Sequence, residues 1–163
     1  MIYGQIRDYL ATLQDYNLRS HADIIQTMIA AESEAASSSC DFCGDHYSRR
    51  IIHQVNDFDI VLIGWQPGQL SPIHDHPTNG CIVYPISGTL SEWRYDQDLN
   101  QISNCHLSSP SYTYIDNGIC IHKLGNEDRH ENAVSVHIYS PCDYQANIYN
   151  TDLNSVKSSI ILP

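Results

Sequence analysis

The chain has 163 residues and 18.4 kDa, with 42% hydrophobic residues, which suits one folded domain and excludes a disordered chain. Lys and Arg number 8 against 19 Asp and Glu, a formal charge of −11, and so acidic a surface repels nucleic-acid phosphates and anionic lipid alike. No apolar run is long enough for a transmembrane helix, and charges stand near Met1 where a secretory leader would be apolar. A cytoplasmic chain whose 6 cysteines are free thiols is therefore expected. The 9 histidines among so few basic residues raise the question of a metal.

In chain order, residues 2–18 carry Ile2, Ile6, Tyr9, Leu10, Leu13 and Tyr16 near helical spacing. A second helix is expected over 22–36, capped by Ser20, with Ile24, Ile25, Met28 and Ile29 as its buried stripe and Ser37, Ser38 and Ser39 ending it. Residues 40–45 read as a loop. From Tyr47 the apolar period becomes two, which predicts strands over 48–54, 58–65, 73–76, 81–87, 89–95, 111–115, 119–123 and 133–139, with a weaker one near 158–162. Turn pairs such as Asn56-Asp57, Pro67-Gly68 and Asn117-Gly118 separate them. Many short strands at close spacing point to a sandwich or barrel. The expectation is a single, mainly β domain, with a helical cap over 1–40 and an antiparallel β-barrel over 46–163.

The chemistry concentrates around His74 and His76. On a strand they point to one face, with Asp75 on the other, because side chains alternate. Two imidazoles on one face can share a divalent ion; the plain alternative is a pair of polar residues beside a proline turn. The surrounding spacing (Gly68, His74-x-His76, Cys81, Gly88) resembles the first motif of the cupin superfamily, in which Glu usually stands at the place of Cys81. His122-Lys-Leu-Gly-Asn126 resembles the second motif, which supplies a further His. The resemblance implies His74, His76 and His122 as ligands in a jelly-roll barrel. Three neutral imidazoles leave the full 2+ charge on the ion, and both zinc and ferrous iron with an open face fit such a donor set.

Two further segments carry polar residues on one strand face. Ser135, His137 and Tyr139 alternate with Val134, Val136 and Ile138. Facing inward they make a hydrogen-bonding relay beside a metal; facing outward they are a solvated strand surface. Tyr47 and Arg49 share a face, and Ser48 and Arg50 the other. An inward guanidinium is costly unless it holds an anion, and it matches a carboxylate with two parallel hydrogen bonds. Pairing with surface Asp or Glu is expected for one of the two arginines.

Taken in order, Tyr47-x-Arg49, Trp65 nine residues before His74, Ser-Pro-Ile-His74-Asp-His76, Cys81, His122-Lys-x-x-Asn126 and Ser135-Val-His137-Ile-Tyr139-Ser-Pro resemble the cysteine dioxygenase family of cupin-fold thiol dioxygenases. The resemblance spans about residues 47–149. It implies that His74, His76 and His122 bind Fe(II), and that Arg49, helped by Tyr47 with the Trp65 ring nearby, holds the carboxylate of L-cysteine. It implies that Tyr139 places its hydroxyl near metal, substrate and O2, oriented by Ser135 and His137. Cys81 stands where animal-type members form a thioether crosslink to that tyrosine; many bacterial members carry Gly there, and Gly80 is adjacent. The implied product is cysteine sulfinic acid. Lys123 and Cys120 depart from the residues usual beside the third His.

A small thiol and O2 are thus the expected partners of a monomer, with no nucleic acid and no membrane. A dioxygenase for 3-mercaptopropionate or cysteamine is the near alternative; Arg49 argues against cysteamine, which has no carboxylate, and the resemblance argues against 3-mercaptopropionate, since relatives that prefer it usually lack Arg at this site. A non-catalytic cupin that binds metal or ligand, and a zinc or manganese cupin isomerase, are the others. Cys40-x-x-Cys43-x-x-His46 offers three local donors and reads as structural. Cys105 and Cys142 read as ordinary thiols, His21, His53, His106 and His130 as residues outside any motif, and Asp96 with Asp98 as a solvated turn.

Overall fold

The computed structural model describes residues 1–150 and, for the backbone alone, 155–160. Two helices, Gly4–Ala11 (α1) and Leu18–Ser38 (α2), precede the strands. The strands are Ser48–Val55 (β1), Phe58–Trp65 (β2), Ile73–His74 (β3), Cys81–Ser87 (β4), Leu90–Tyr95 (β5), Gln101–Leu107 (β6), Thr113–Ile115 (β7), Ile121–Gly125 (β8), Ala133–Tyr139 (β9), Ala146–Asn150 (β10) and Ser155–Ile160 (β11). They form two antiparallel sheets, ordered β1-β2-β9-β4-β7 and β11-β10-β3-β8-β5-β6. The architecture is mainly β with a helical layer, as the residue pattern predicts. No helix among the described residues is long and apolar enough to cross a membrane.

The helices lie on the outer face of the first sheet. Ile6, Leu10, Ile25 and Ile29 pack against Phe58, Ile60 and Leu62 of β2 and Val134, Val136 and Ile138 of β9. The opposite residues of the same strands, Val61, Ile63, Trp65 and Tyr139, meet Leu90 and Leu124 of the second sheet. Both faces of β2 and β9 are therefore covered, and every residue in them is buried. Each fully buried Ile or Leu contributes roughly 1.5–3 kcal/mol.

Several boundaries differ from the expectation. Helix α2 begins at Leu18, because the Asn17 side chain, and not Ser20, caps it by accepting from the Arg19 N–H at 3.2 Å. The buried stripe is accordingly Leu18, Ala22, Ile25, Ile29 and Ala36, with Ile24 left 51% exposed and Met28 half-buried. The serines do not stop the helix at 36, since the Ser38 hydroxyl bonds back to the Glu34 carbonyl one turn earlier, at 2.9 Å. Helix α1 is shorter than residues 2–18.

Two strands, β6 and β10, escape the sequence reading. Six of the seven residues of β6 are exposed, so no apolar alternation marks this edge strand. Backbone pairing makes β10, against β3 and β11, with side chains mostly half-buried. β8 starts at Ile121 because Ile119 and Cys120 spend their N–H groups on the Asp116 carbonyl in a turn. Residues 161 and 162 of the last expected strand lie outside the described residues.

Candidate metal centre

Strand β3 is short and places its histidines by local chemistry. His74 Nδ1 donates to the Pro72 carbonyl at 2.9 Å, which leaves Nε2 turned the other way. His76 lies past the strand end, where the Asn117 amide grips its backbone twice. The His76 N–H donates to Asn117 Oδ1 at 2.8 Å, and Asn117 Nδ2 donates to the His76 carbonyl at 2.9 Å. Asp75, on the other face, accepts from the Tyr144 hydroxyl at 2.7 Å and from Asn147 N and Nδ2 at 2.8 and 2.7 Å.

His122 arrives from β8, where it stands opposite His74 in register. The three rings approach with centroids 5.4, 4.8 and 4.5 Å apart, and one ligand atom from each lies within 4.8 Å of the others. All three are buried. Both ring nitrogens of His76, and Nε2 of His122, are buried with no hydrogen-bond partner. Buried polar atoms in native folds are almost always paired, so unpartnered nitrogens on His76 and His122, at a point where one ligand atom from each of the three rings gathers, fit a partner that accepts lone pairs. Burial lowers the pKa of His74, and that of His76 and His122 far more, so all three are neutral at pH 7 and free to ligate. The donor set fits a divalent metal. Among the described residues no other group of three or more His, Cys, Asp or Glu side chains gathers in this way. Cys43 Sγ contacts His46 Nε2 at 3.9 Å, while Cys40 turns to the Asp41 carbonyl.

Next to the triad, β9 carries a chain of hydrogen bonds. Trp65 Nε1 donates to Ser135 Oγ at 3.0 Å, Ser135 Oγ lies 2.8 Å from His137 Nε2, and His137 Nδ1 lies 3.0 Å from the Tyr139 hydroxyl. An indole N–H only donates, so Ser135 accepts there and its own proton goes to His137 Nε2. His137 then carries its proton on Nδ1 and donates to the Tyr139 oxygen, leaving the phenol proton to turn away from His137, on the side where Cys81 lies. Burial, with Arg49 nearby, lowers the His137 pKa to about 3, which keeps the imidazole neutral for this task. Burial and the neighbouring Cys81 raise that of Tyr139, which keeps the phenol protonated. The polar face of β9 turns inward because the helices occupy its apolar face.

Cys81 and Tyr139 are direct register partners across β4 and β9. Gly80 precedes them at φ +88, and a Cβ there would lie 2.7 Å from the Tyr114 ring, so this position demands glycine and Cys81 is the residue that faces the tyrosine. Arg49 lies on β1 with its guanidinium 5.8 Å from the Tyr139 ring centroid, its Nε buried, and, among the described residues, no partner for that Nε and no carboxylate within 4.0 Å. Arg50 points outward to Asp41 at 3.9 Å and the Ser39 carbonyl at 3.1 Å. Two adjoining hollows share Arg49, His74 and Tyr139 in their walls; Tyr47 and Trp65 line the inner one and stack with ring centroids 4.6 Å apart.

Of the residues singled out from sequence, Arg49, His74 and Tyr139 wall both hollows and Tyr47, Trp65 and His137 the second, while His76 lines a separate hollow with Asn117 and Tyr144. Two residues of the site were missed. Asn117 looked like a turn residue only, and Glu92, buried at 1% exposure, accepts from His122 Nδ1 at 2.8 Å. The signal for Glu92 was its inward phase, two residues after Leu90 on a predicted strand.

Comparison with known proteins agrees with this geometry. The family described as cysteine dioxygenase type I matches residues 5–152. Cysteine dioxygenase type 1 of Rattus norvegicus is 31% identical over 102 residues, and that of Homo sapiens 32% identical over 102, in each case covering 58% of this chain and 51% of the relative. The chain spans about half the length of the curated relatives it matches. Among solved structures, a Klebsiella pneumoniae protein with a double-stranded β-helix domain superposes at TM-score 0.58 with 19% identity, over 69% of this chain and 87% of that one. A cupin superfamily protein of Desulfitobacterium hafniense gives TM-score 0.51 with 11% identity, over 64% of this chain and 85% of that one. These two speak for the cupin fold alone, whereas a match along nearly the whole sequence places the chain in the cysteine dioxygenase type I family.

Proposed function

We propose that the chain is an Fe(II)-dependent thiol dioxygenase that converts L-cysteine and O2 to cysteine sulfinic acid. The observation that carries this reading is the gathering of three buried, neutral imidazoles, one ligand atom of each within 4.8 Å of the others, beside Arg49, whose Nε has no partner among the described residues. His74, His76 and His122 would hold the iron, and a bound ferrous ion supplies a place where thiol and O2 meet and lowers the thiol pKa. Arg49 binds the substrate carboxylate through its paired N–H groups, which a thiol lacking that group would leave unsatisfied. Tyr139 keeps its proton and offers its hydroxyl as a hydrogen-bond donor to oxygen arriving at sulfur, and Trp65, Ser135 and His137 hold that phenol in one orientation. The Tyr47 and Trp65 rings keep water from the guanidinium. Residues 1–40 act as a cap that seals the outer face of the sheet bearing this relay, and the described residues from 46 onward form the barrel.

In this reading Cys81 and Tyr139 become joined. The Cys81 sulfur bonds a ring carbon beside the phenol oxygen, and one hydrogen leaves each residue to O2 as oxidant, which fixes the phenol rotamer in advance of catalysis. The intact mass of iron-exposed protein should then fall by about two hydrogens relative to the sequence mass, and Cys81→Ser should remove that deficit. A deficit that persists in Cys81→Ser assigns the bond elsewhere.

The function is tested by giving the iron-loaded protein L-cysteine, 3-mercaptopropionate or cysteamine and recording O2 uptake and sulfinate. L-cysteine should be consumed in preference to the other two. A protein that oxidises another thiol and leaves L-cysteine intact rejects the substrate assignment, and one that consumes none of them rejects the activity.

A further inference from the structure

The Nδ1 edge of His122 meets a small buried network that no motif announced. Glu92 Oε2 accepts from His122 Nδ1 at 2.8 Å. Its other oxygen, Oε1, accepts from Arg94 Nε at 2.8 Å and from Thr113 Oγ1 at 3.3 Å. Arg94 in turn donates through Nη2 to Thr113 Oγ1 at 2.5 Å and to the Tyr114 carbonyl at 3.3 Å. In the ladder between β5 and β8, Arg94 stands opposite His122 and Glu92 opposite Leu124, so the carboxylate reaches the imidazole diagonally. A buried carboxylate is tolerated only when its oxygens are satisfied, and here each has a donor.

Resting on the metal reading of the histidine triad, we propose that Glu92 is the positioning residue of the centre and that Arg94 and Thr113 hold it in place. Glu92 keeps the His122 proton on Nδ1 and so commits Nε2 to the ion. It supplies, one residue removed from the metal, the negative charge that three neutral imidazoles lack. A charged acceptor behind a ligating histidine makes the imidazole a stronger donor. Arg94 has a separate task. By engaging Oε1 it fixes the carboxylate's orientation, so that Oε2 stays on His122 Nδ1.

Cobalt(II), which mimics iron(II) without air oxidation, is the probe. Its affinity is measured by competition with a chromogenic chelator, together with its visible spectrum and the melting temperature of metal-free protein, for the wild type, Glu92→Gln, Glu92→Leu and Arg94→Met. Glu92→Leu should bind cobalt about 100-fold more weakly with an altered spectrum, and Glu92→Gln, which retains an acceptor oxygen without the charge, about 10-fold more weakly. Arg94→Met, which frees the carboxylate to rotate, should weaken cobalt binding in the same direction as Glu92→Gln, and wild-type affinity there overturns the role given to Arg94. Wild-type affinity and spectrum in both Glu92 variants, whatever their melting temperatures, overturn the proposal and leave Glu92 a core residue. If Glu92→Leu does not fold, a Glu92→Gln protein indistinguishable from wild type in both readouts overturns it equally. A wild-type chain that takes up no cobalt overturns the metal reading itself, which separates the two failures.

Discussion

Replacing His76 by alanine is expected to remove stoichiometric metal and bring thiol-dependent O2 uptake to background while the protein stays folded. The expectation follows from an asymmetry within the triad. Neither nitrogen of the His76 ring has a hydrogen-bond partner among the described residues, so truncation breaks no ring hydrogen bond seen in the metal-free fold. It leaves a cavity, but it also removes buried polar atoms that each cost about 1–3 kcal/mol when unsatisfied. The melting temperature of metal-free His76→Ala should therefore stay close to that of wild type. His122→Ala should lose metal as well, yet melt lower, because it strands the Glu92 oxygen now 2.8 Å from His122 Nδ1. Elemental analysis and thermal melts of both variants check this. A His76→Ala protein that still retains one iron per chain would remove His76 from the ligand set.

The second large effect concerns Arg49. Arg49→Met should lower kcat/KM for L-cysteine by about 100-fold or more, the scale of truncating one partner of a buried charge pair (about 2–5 kcal/mol). Turnover of cysteamine, which has no carboxylate, should change little, so the ratio of the two kcat/KM values is the readout. Stability should be nearly unaffected, since the Arg49 Nε has no partner to lose. Arg50→Met serves as the control, because that side chain is exposed and reaches only Asp41 and the Ser39 carbonyl. An unchanged substrate ratio in Arg49→Met would show that the guanidinium does not hold the carboxylate.

The strands that were legible from sequence are those with a marked apolar pattern, continuous in β2 and β4 and alternating in β9. β2, β4 and β9 begin and end where the apolar period of two predicts, because each has an apolar set to bury on one or both faces. The same rule put His74 with His76, and Ser135 with His137 and Tyr139, on common faces. β6 was illegible because an exposed polar edge strand has no side-chain pattern to read, and β10 because backbone pairing alone defines it. Asn17 was passed over as the α2 cap in favour of Ser20, although both residue types cap well.

What the sequence alone determined, then, is which residues carry the chemistry and which of them share a strand face, since both are local consequences of residue type and of the two-residue strand period. Only the tertiary structure decided which way those faces point and what they meet. A strand with one polar and one apolar face ordinarily turns its polar face to water, and β9 does the reverse because α1 and α2 cover Val134, Val136 and Ile138. The convergence of His122 on His74 depends on the β3–β8 register, and the support of Glu92 behind it on the packing of β5 against β8. Those are pairings between residues far apart in the chain, and no local pattern specifies them.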